Sequence, residues 1–134
     1  MQPEFLFKNS SIQISYNTTE YWIYANWTGF QTTRSVKEGC EKILQVLTDE
    51  SCHKVLNDNT YVEGIWSGAA AWVGNDWFPR MSLAGLHYFA WVYSPSVFSQ
   101  LSTDKALNHT KEGFVRTFYD IEEAKNWLRS CPNP

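Results

Sequence analysis

Lys54–Ser94, KVLNDNTYVEGIWSGAAAWVGNDWFPRMSLAGLHYFAWVYS, decides the fold of this chain. His53–Asn57 has an apolar centre and reads as a buried strand, and His87–Tyr93 is a nearly uninterrupted apolar run that reads as another. Between them Trp66–Leu86 reads as two helical pieces. Gly74-Asn75 interrupts the first, Asp76 caps a second that carries Pro79 in its first turn, and Gly85 closes it. Strand, helical crossover, strand is the unit of a parallel sheet, because parallel neighbours cannot be joined by a hairpin.

Working outward, the N-terminal thirty residues alternate as antiparallel strands. Ser11–Tyr16 and Tyr21–Trp27 flank an Asn17-Thr18-Thr19 turn, and Phe5–Lys8 supplies a short leading strand. Val36, Cys40, Ile43, Leu44 and Leu47 share one face of a 3.6-residue period, with Ser35 and Glu38 as a capping box. Ser94-Pro95 opens a short helix to about Leu101. Phe114–Tyr119 is a final strand, and Asp120 with Glu123 caps a helix that buries Ile121, Ala124, Trp127 and Leu128. The expected architecture is a single α/β domain, a mixed sheet of N-terminal antiparallel strands followed by βαβ units.

Composition narrows the function. The chain has 134 residues, a net charge of −3, 43% hydrophobic and 16% aromatic residues. It is long enough for one packed domain. No basic run is present to track a phosphate backbone, so nucleic acid is disfavoured as a partner. No apolar segment approaches the about 20 residues of a membrane span, and MQPEFLFKNSS lacks a secretory n-region and h-region, so a cytoplasmic location is expected. Cys40, Cys52 and Cys131 lack CxxC spacing and read as reduced structural thiols. The sequons at Asn9, Asn17, Asn26 and Asn108 then read as by-products of polar turns.

The element order and GIWSGAAAWVGNDWFPRMSLAGLHYFAWVYS (64–94) resemble the STAS-like, or STAS/SEC14-like, families of small bacterial proteins, related in fold to anti-sigma-factor antagonists. The resemblance implies a regulatory protein-interaction module, and its SEC14 side implies a carrier of a small apolar ligand or lipid. In the antagonists a serine at a helix start is a phosphoacceptor. Ser67-Gly68 matches that Ser-Gly pair, although Ile65-Trp66 stand where the family has Asp-Ser, and a plain N-cap role competes for Ser67.

Open α/β sheets place ligands and partners at the carboxyl ends of their strands. Asn57, Asp58, Asn59 and Thr60 are expected there as a loop, with Ser94 emerging beside them. The same residue types also serve ordinary turns and caps. Trp66, Val73 and Trp77 fall on one helical face, with Trp72 elsewhere. Packing accounts for most such residues, while any left at the surface become partner anchors or, as Trp66, Trp72, Trp77 and Trp91, walls of an apolar pocket. The leading expectation is a surface joining Asp58–Thr60 to the start of the Trp66 helix, recognising a protein partner.

No constellation argues for catalysis. His53, His87 and His109 lie on separate elements, no metal-ligand spacing, P-loop or nucleophile elbow occurs, and no cofactor or metal is implied. The protein is expected not to be an enzyme; a reaction using Asp58 with His53 or His87 is the weakest alternative. The N-terminal edge strand permits a homodimer.

Overall fold

The computed structural model describes residues 4–134, so Met1–Pro3, part of the stretch read above for a leader, lie outside it. Six strands form one sheet in the order of the chain: β1 (Glu4–Lys8), β2 (Ile12–Asn17), β3 (Trp22–Phe30), β4 (Lys54–Glu63), β5 (Tyr88–Val92) and β6 (Val115–Phe118). β1, β2 and β3 pair antiparallel, and β3 to β6 pair parallel. The mixed sheet expected from the sequence is therefore present. Asn17 builds the β2–β3 turn by accepting the N–H groups of Thr19 and Glu20 on its side-chain oxygen.

The helices are α1 (Thr33–Asp49), a continuous helical stretch from Ser67 to Leu83, α4 (Val97–Asn108) and α5 (Ile121–Ser130). α1 begins earlier than expected: Thr32 is the N-cap and Ser35 its reciprocal partner, so the capping box is Thr32 with Ser35. In the second stretch Gly74-Asn75 does not break the helix. A 3₁₀ turn (Ser67–Ala69), α2 (Ala70–Trp72), a π turn (Val73–Trp77) and α3 (Phe78–Leu83) run on without interruption. Asp76 caps nothing and instead pairs with Arg80 at 2.7 Å. Asp120 caps α5 through the N–H of Glu122.

The sheet is covered unequally. On one face the core gathers Val36, Cys40, Ile43 and Leu47 of α1, Val73, Trp77, Phe78 and Met81 of the second stretch, and Ala106 of α4. On the other face α5 alone packs Ala124 and Leu128 onto Trp22, Leu56, Ala90, Val92 and Phe118. Lys54, at the start of β4, is buried and donates its ammonium to the carbonyls of Leu128 and Cys131 at 2.7 Å each, holding the end of α5. All three cysteines are unbridged and buried.

Two glycines allow close layers. A Cβ on Gly39 would lie 2.3 Å from the Trp27 ring, and one on Gly74 would lie 2.6 Å from the Ala106 carbonyl oxygen. α1 and α4 thus sit closer to their neighbours than any side chain would permit.

Candidate functional site

The carboxyl edge of the parallel strands is shaped by a mismatch in length. β4 pairs with β5 only over Lys54–Asp58 but continues along β3 to Glu63. Asn57–Thr60 therefore belong to β4 and are not a loop. Asn, Asp and Thr in sequence suggest a turn, because Asn and Asp are depleted from strands. Here each finds a buried partner instead. The Trp27 indole donates to Asn57 Oδ1 at 2.8 Å, and Asn57 Nδ2 donates to Asn59 Oδ1 at 3.3 Å. On the opposite face Asp58 accepts the Tyr24 hydroxyl at 2.7 Å, together with the N–H and hydroxyl of Thr60. A bulge, with Asn59 and Thr60 facing only Trp27 across the ladder, separates the two arrangements.

Ser94 braces the overhang. It is 1% exposed, donates to the Val62 carbonyl at 2.6 Å and accepts from the Ser96 N–H at 3.0 Å. With Asn57, Asp58, Asn59, Trp66 and Trp77 also buried, no surface joins Asp58–Thr60 to Trp66: Asp58 sits with Tyr24 on one face of the sheet and Trp66 packs on the other. Ser67 is half-buried and is the first residue of the 3₁₀ turn; Trp66 is the N-cap and makes no side-chain capping bond.

Between the sheet, α1 and the second helical stretch lies a cavity of about 30 Å³, lined by Trp27, Trp66, Trp77, Trp91, Asn57 and Asn59 among others. Trp66 stacks on Trp91 with ring centroids 6.1 Å apart. Trp72 is not part of this lining; it sits half-buried on the outer side of the helix, with Lys37 and Arg80 over its ring. The volume suits a water-sized guest, which needs about 10–15 Å³. A drug-sized ligand needs ~300 Å³ or more.

α4 is turned inside out. It buries Ser99, Ser102, Thr103 and Ala106 and exposes Val97, Phe98 and Leu101, at 64%, 62% and 57%. The hydroxyls face inward because Trp66 needs them: its backbone N–H donates to Ser102 Oγ at 3.0 Å and its indole to Ser99 Oγ at 3.3 Å. The apolar side chains are left facing solvent. Sequence reasoning missed them because it ended this helix at Leu101, too early for the two opposed faces to show.

Other apolar groups gather at the same edge. Among the described residues ten large apolar side chains are strongly exposed, and seven of them lie near or after the carboxyl ends of the parallel strands: Phe30, Tyr61, Ile65, Val97, Phe98, Leu101 and Tyr119. Two of them pack against neighbouring elements of this edge. The Phe30 ring lies where a Cβ on Gly64 would be, 2.8 Å away, next to Ile65. Tyr119 stacks on Tyr93 at 4.8 Å, and the Tyr93 hydroxyl donates to Asp104 on α4. Burial, reinforced by that bond to a carboxylate, pushes the Tyr93 phenol up to about 12. Burial and Asp58 likewise raise Tyr24.

His53 and His87 lie at the other end of the strands. Both rings meet the Gly85 carbonyl through Nδ1, at 2.7 and 2.8 Å, with ring centroids 5.1 Å apart. His53 precedes Asp58 by five residues of nearly extended chain, about 16 Å at ~3.3 Å per residue. These groups are not brought together. Among the described residues no group of three or more His, Cys, Asp or Glu side chains is placed to hold a metal ion, and no helix is long and apolar enough to cross a membrane.

No protein-family model matches the chain, and no curated protein matches it. Among solved structures it is similar to the crystal structure of an uncharacterized protein from the DUF3478 family with a SpoIIAA-like fold, from Shewanella loihica PV-4. The two share 20% identity with a TM-score of 0.51, over 96% of each chain. The likeness spans the whole element order and establishes the fold as SpoIIAA-like, the STAS-like architecture. That neighbour is itself uncharacterized, so the likeness carries the fold alone.

Proposed function

We propose that this protein is a non-enzymatic interaction module that docks a protein partner on the carboxyl edge of its sheet, across the outer face of α4. The observation that carries this reading is the reversed helix: Val97, Phe98 and Leu101 face solvent while Ser99, Ser102 and Thr103 face the core. An exposed apolar face on an otherwise well-packed domain calls for an external partner. Ser67, next to Gly68, which lies against the Thr33 hydroxyl at the start of α1, is the candidate phosphoacceptor that would regulate docking. The three unbridged thiols suit a reducing compartment, and we place the module in the cytoplasm.

An apolar-ligand role finds support in the tryptophan-lined cavity, where the buried Trp91 Nε1 has no hydrogen-bond partner among the described residues. Its volume of about 30 Å³ favours docking over carriage of a lipid chain. A homodimer through β1 is less supported, because a register shift between Phe5 and Phe7 interrupts that edge.

The test is photo-crosslinking in cells with p-benzoylphenylalanine placed singly at positions 98, 101 and 83. Leu83 is 89% exposed but lies outside the patch, at the end of α3. Docking on α4 gives a discrete crosslinked product from positions 98 and 101 and none from 83. Equal products from all three, or none from α4, would overturn the reading.

A further inference from the structure

We infer that the docked segment is a cationic amphipathic helix, an inference that rests on the docking reading above and concerns the chemistry of the partner. Acidic residues outnumber basic ones among the charged neighbours of the apolar side chains along the chain. Glu63 ends β4 next to Tyr61, Asp104 lies on the outer face of α4 one turn beyond Leu101, and Asp120, Glu122 and Glu123 follow Tyr119; all five are exposed. Against them stand Lys105 and Arg34, and Arg34 is occupied by Glu38 at 2.8 Å. Glu122 is answered by Lys125 at 3.4 Å. Asp120 and Glu123 also sit in or beside the first turn of α5, where the helix dipole compensates them in part. Glu63, at the end of β4, and Asp104, on α4, have no ion-pair partner among the described residues. Asp104 accepts the Tyr93 hydroxyl.

A partner suited to this surface presents leucine- or phenylalanine-like side chains to Val97, Phe98 and Leu101 and lysines or arginines to these carboxylates. A helix does both at once, because apolar residues at i, i+3, i+4 and i+7 leave its flanks free for charge. An anionic membrane offers apolar depth but the wrong charge, and is disfavoured for that reason.

The experiment measures fluorescence anisotropy of two labelled amphipathic peptides, one of leucine and lysine and its leucine and glutamate twin, with the full chain. Co-sedimentation with vesicles of phosphatidylcholine, alone or mixed with phosphatidylglycerol, runs in parallel. The Leu/Lys peptide is expected to bind about tenfold or more tighter than its twin. Phe98→Ser with Leu101→Ser should abolish that binding. Glu63→Gln with Asp104→Asn, the latter keeping an acceptor for Tyr93, should weaken it several-fold, and added salt should do the same. Equal binding of both peptides, still dependent on Phe98 and Leu101, would overturn the charge assignment and leave the docking reading standing. Leu/Lys binding indifferent to Phe98 and Leu101 would overturn both. Failure of either peptide to bind overturns the cationic helix as partner, the crosslinking deciding the docking reading separately. Recovery with phosphatidylglycerol vesicles would overturn it in favour of a membrane surface.

Discussion

Trp66 gives its backbone N–H to the hydroxyl of Ser102 at 3.0 Å, across 36 residues of chain, and both groups are buried. The bond closes α4 over the tryptophan cluster and explains why a serine occupies the inner face of a helix.

Ser102→Ala leaves that N–H buried without a partner. Such a deletion costs about 1–3 kcal/mol. Urea unfolding followed by tryptophan fluorescence should show the loss, and Ser99→Ala, which removes only the longer bond to the indole, should show less.

Gly74→Ala provides a test with a sign. Helix propensity alone would make alanine stabilising by about 0.5–1 kcal/mol. A Cβ would meet the Ala106 carbonyl oxygen and His109 Cβ at 2.6 Å each, so α4 has to shift. The net outcome is destabilisation of about 1–3 kcal/mol, read as a lower Tm in calorimetry.

Lys54→Met keeps the volume of the side chain and removes its donors. The carbonyls of Leu128 and Cys131 then lose their partner inside the protein. Hydrogen exchange should quicken in the last turn of α5 before any other helix, and stability should drop by about 1–3 kcal/mol.

Tyr93 links stability to alkaline pH. Its phenol is raised from 10.0 to about 12 in the fold, first by burial and then by its bond to Asp104. The neutral form is the one the native state prefers, so this contribution is complete below pH 10.0 and disappears as pH rises toward about 12. Denaturant midpoints measured across that window should fall, and Tyr93→Phe should flatten the fall. Tyr24, raised in the same direction, adds to it.

Phe98→Ser with Leu101→Ser should leave stability within about 0.5 kcal/mol, because exposed side chains contribute little to folding. Any effect on partner capture then reports the surface and not the fold. Thermal melts of the double variant and wild type make the check.

Most of the fold was legible because its signals are local. The α1 face from Val36 to Leu47, the β2–β3 turn at Asn17 and the cap at Asp120 each declare themselves within a few residues. β4 did not, since Asn57, Asp58 and Asn59 resemble a turn until Trp27 and Tyr24, some 30 residues earlier, arrive to satisfy them. Gly74 misled for the same reason: it reads as a helix break, while its purpose is contact with Ala106. The candidate site was legible only in its location at the carboxyl edge. The residues expected to form it are the buried scaffold, and those at the surface belong to a helix whose polarity is set by the needs of Trp66.

The strictly sequential strand order has a consequence for synthesis. Each strand adds to an edge laid down by the one before it, so the sheet can grow in the direction of translation without rearrangement. The nascent chain always carries one unfinished edge, and that edge moves forward with the ribosome. Lys54 is the exception. Its ammonium must wait for Cys131, 77 residues later, so β4 is fully tied down only after α5 has formed.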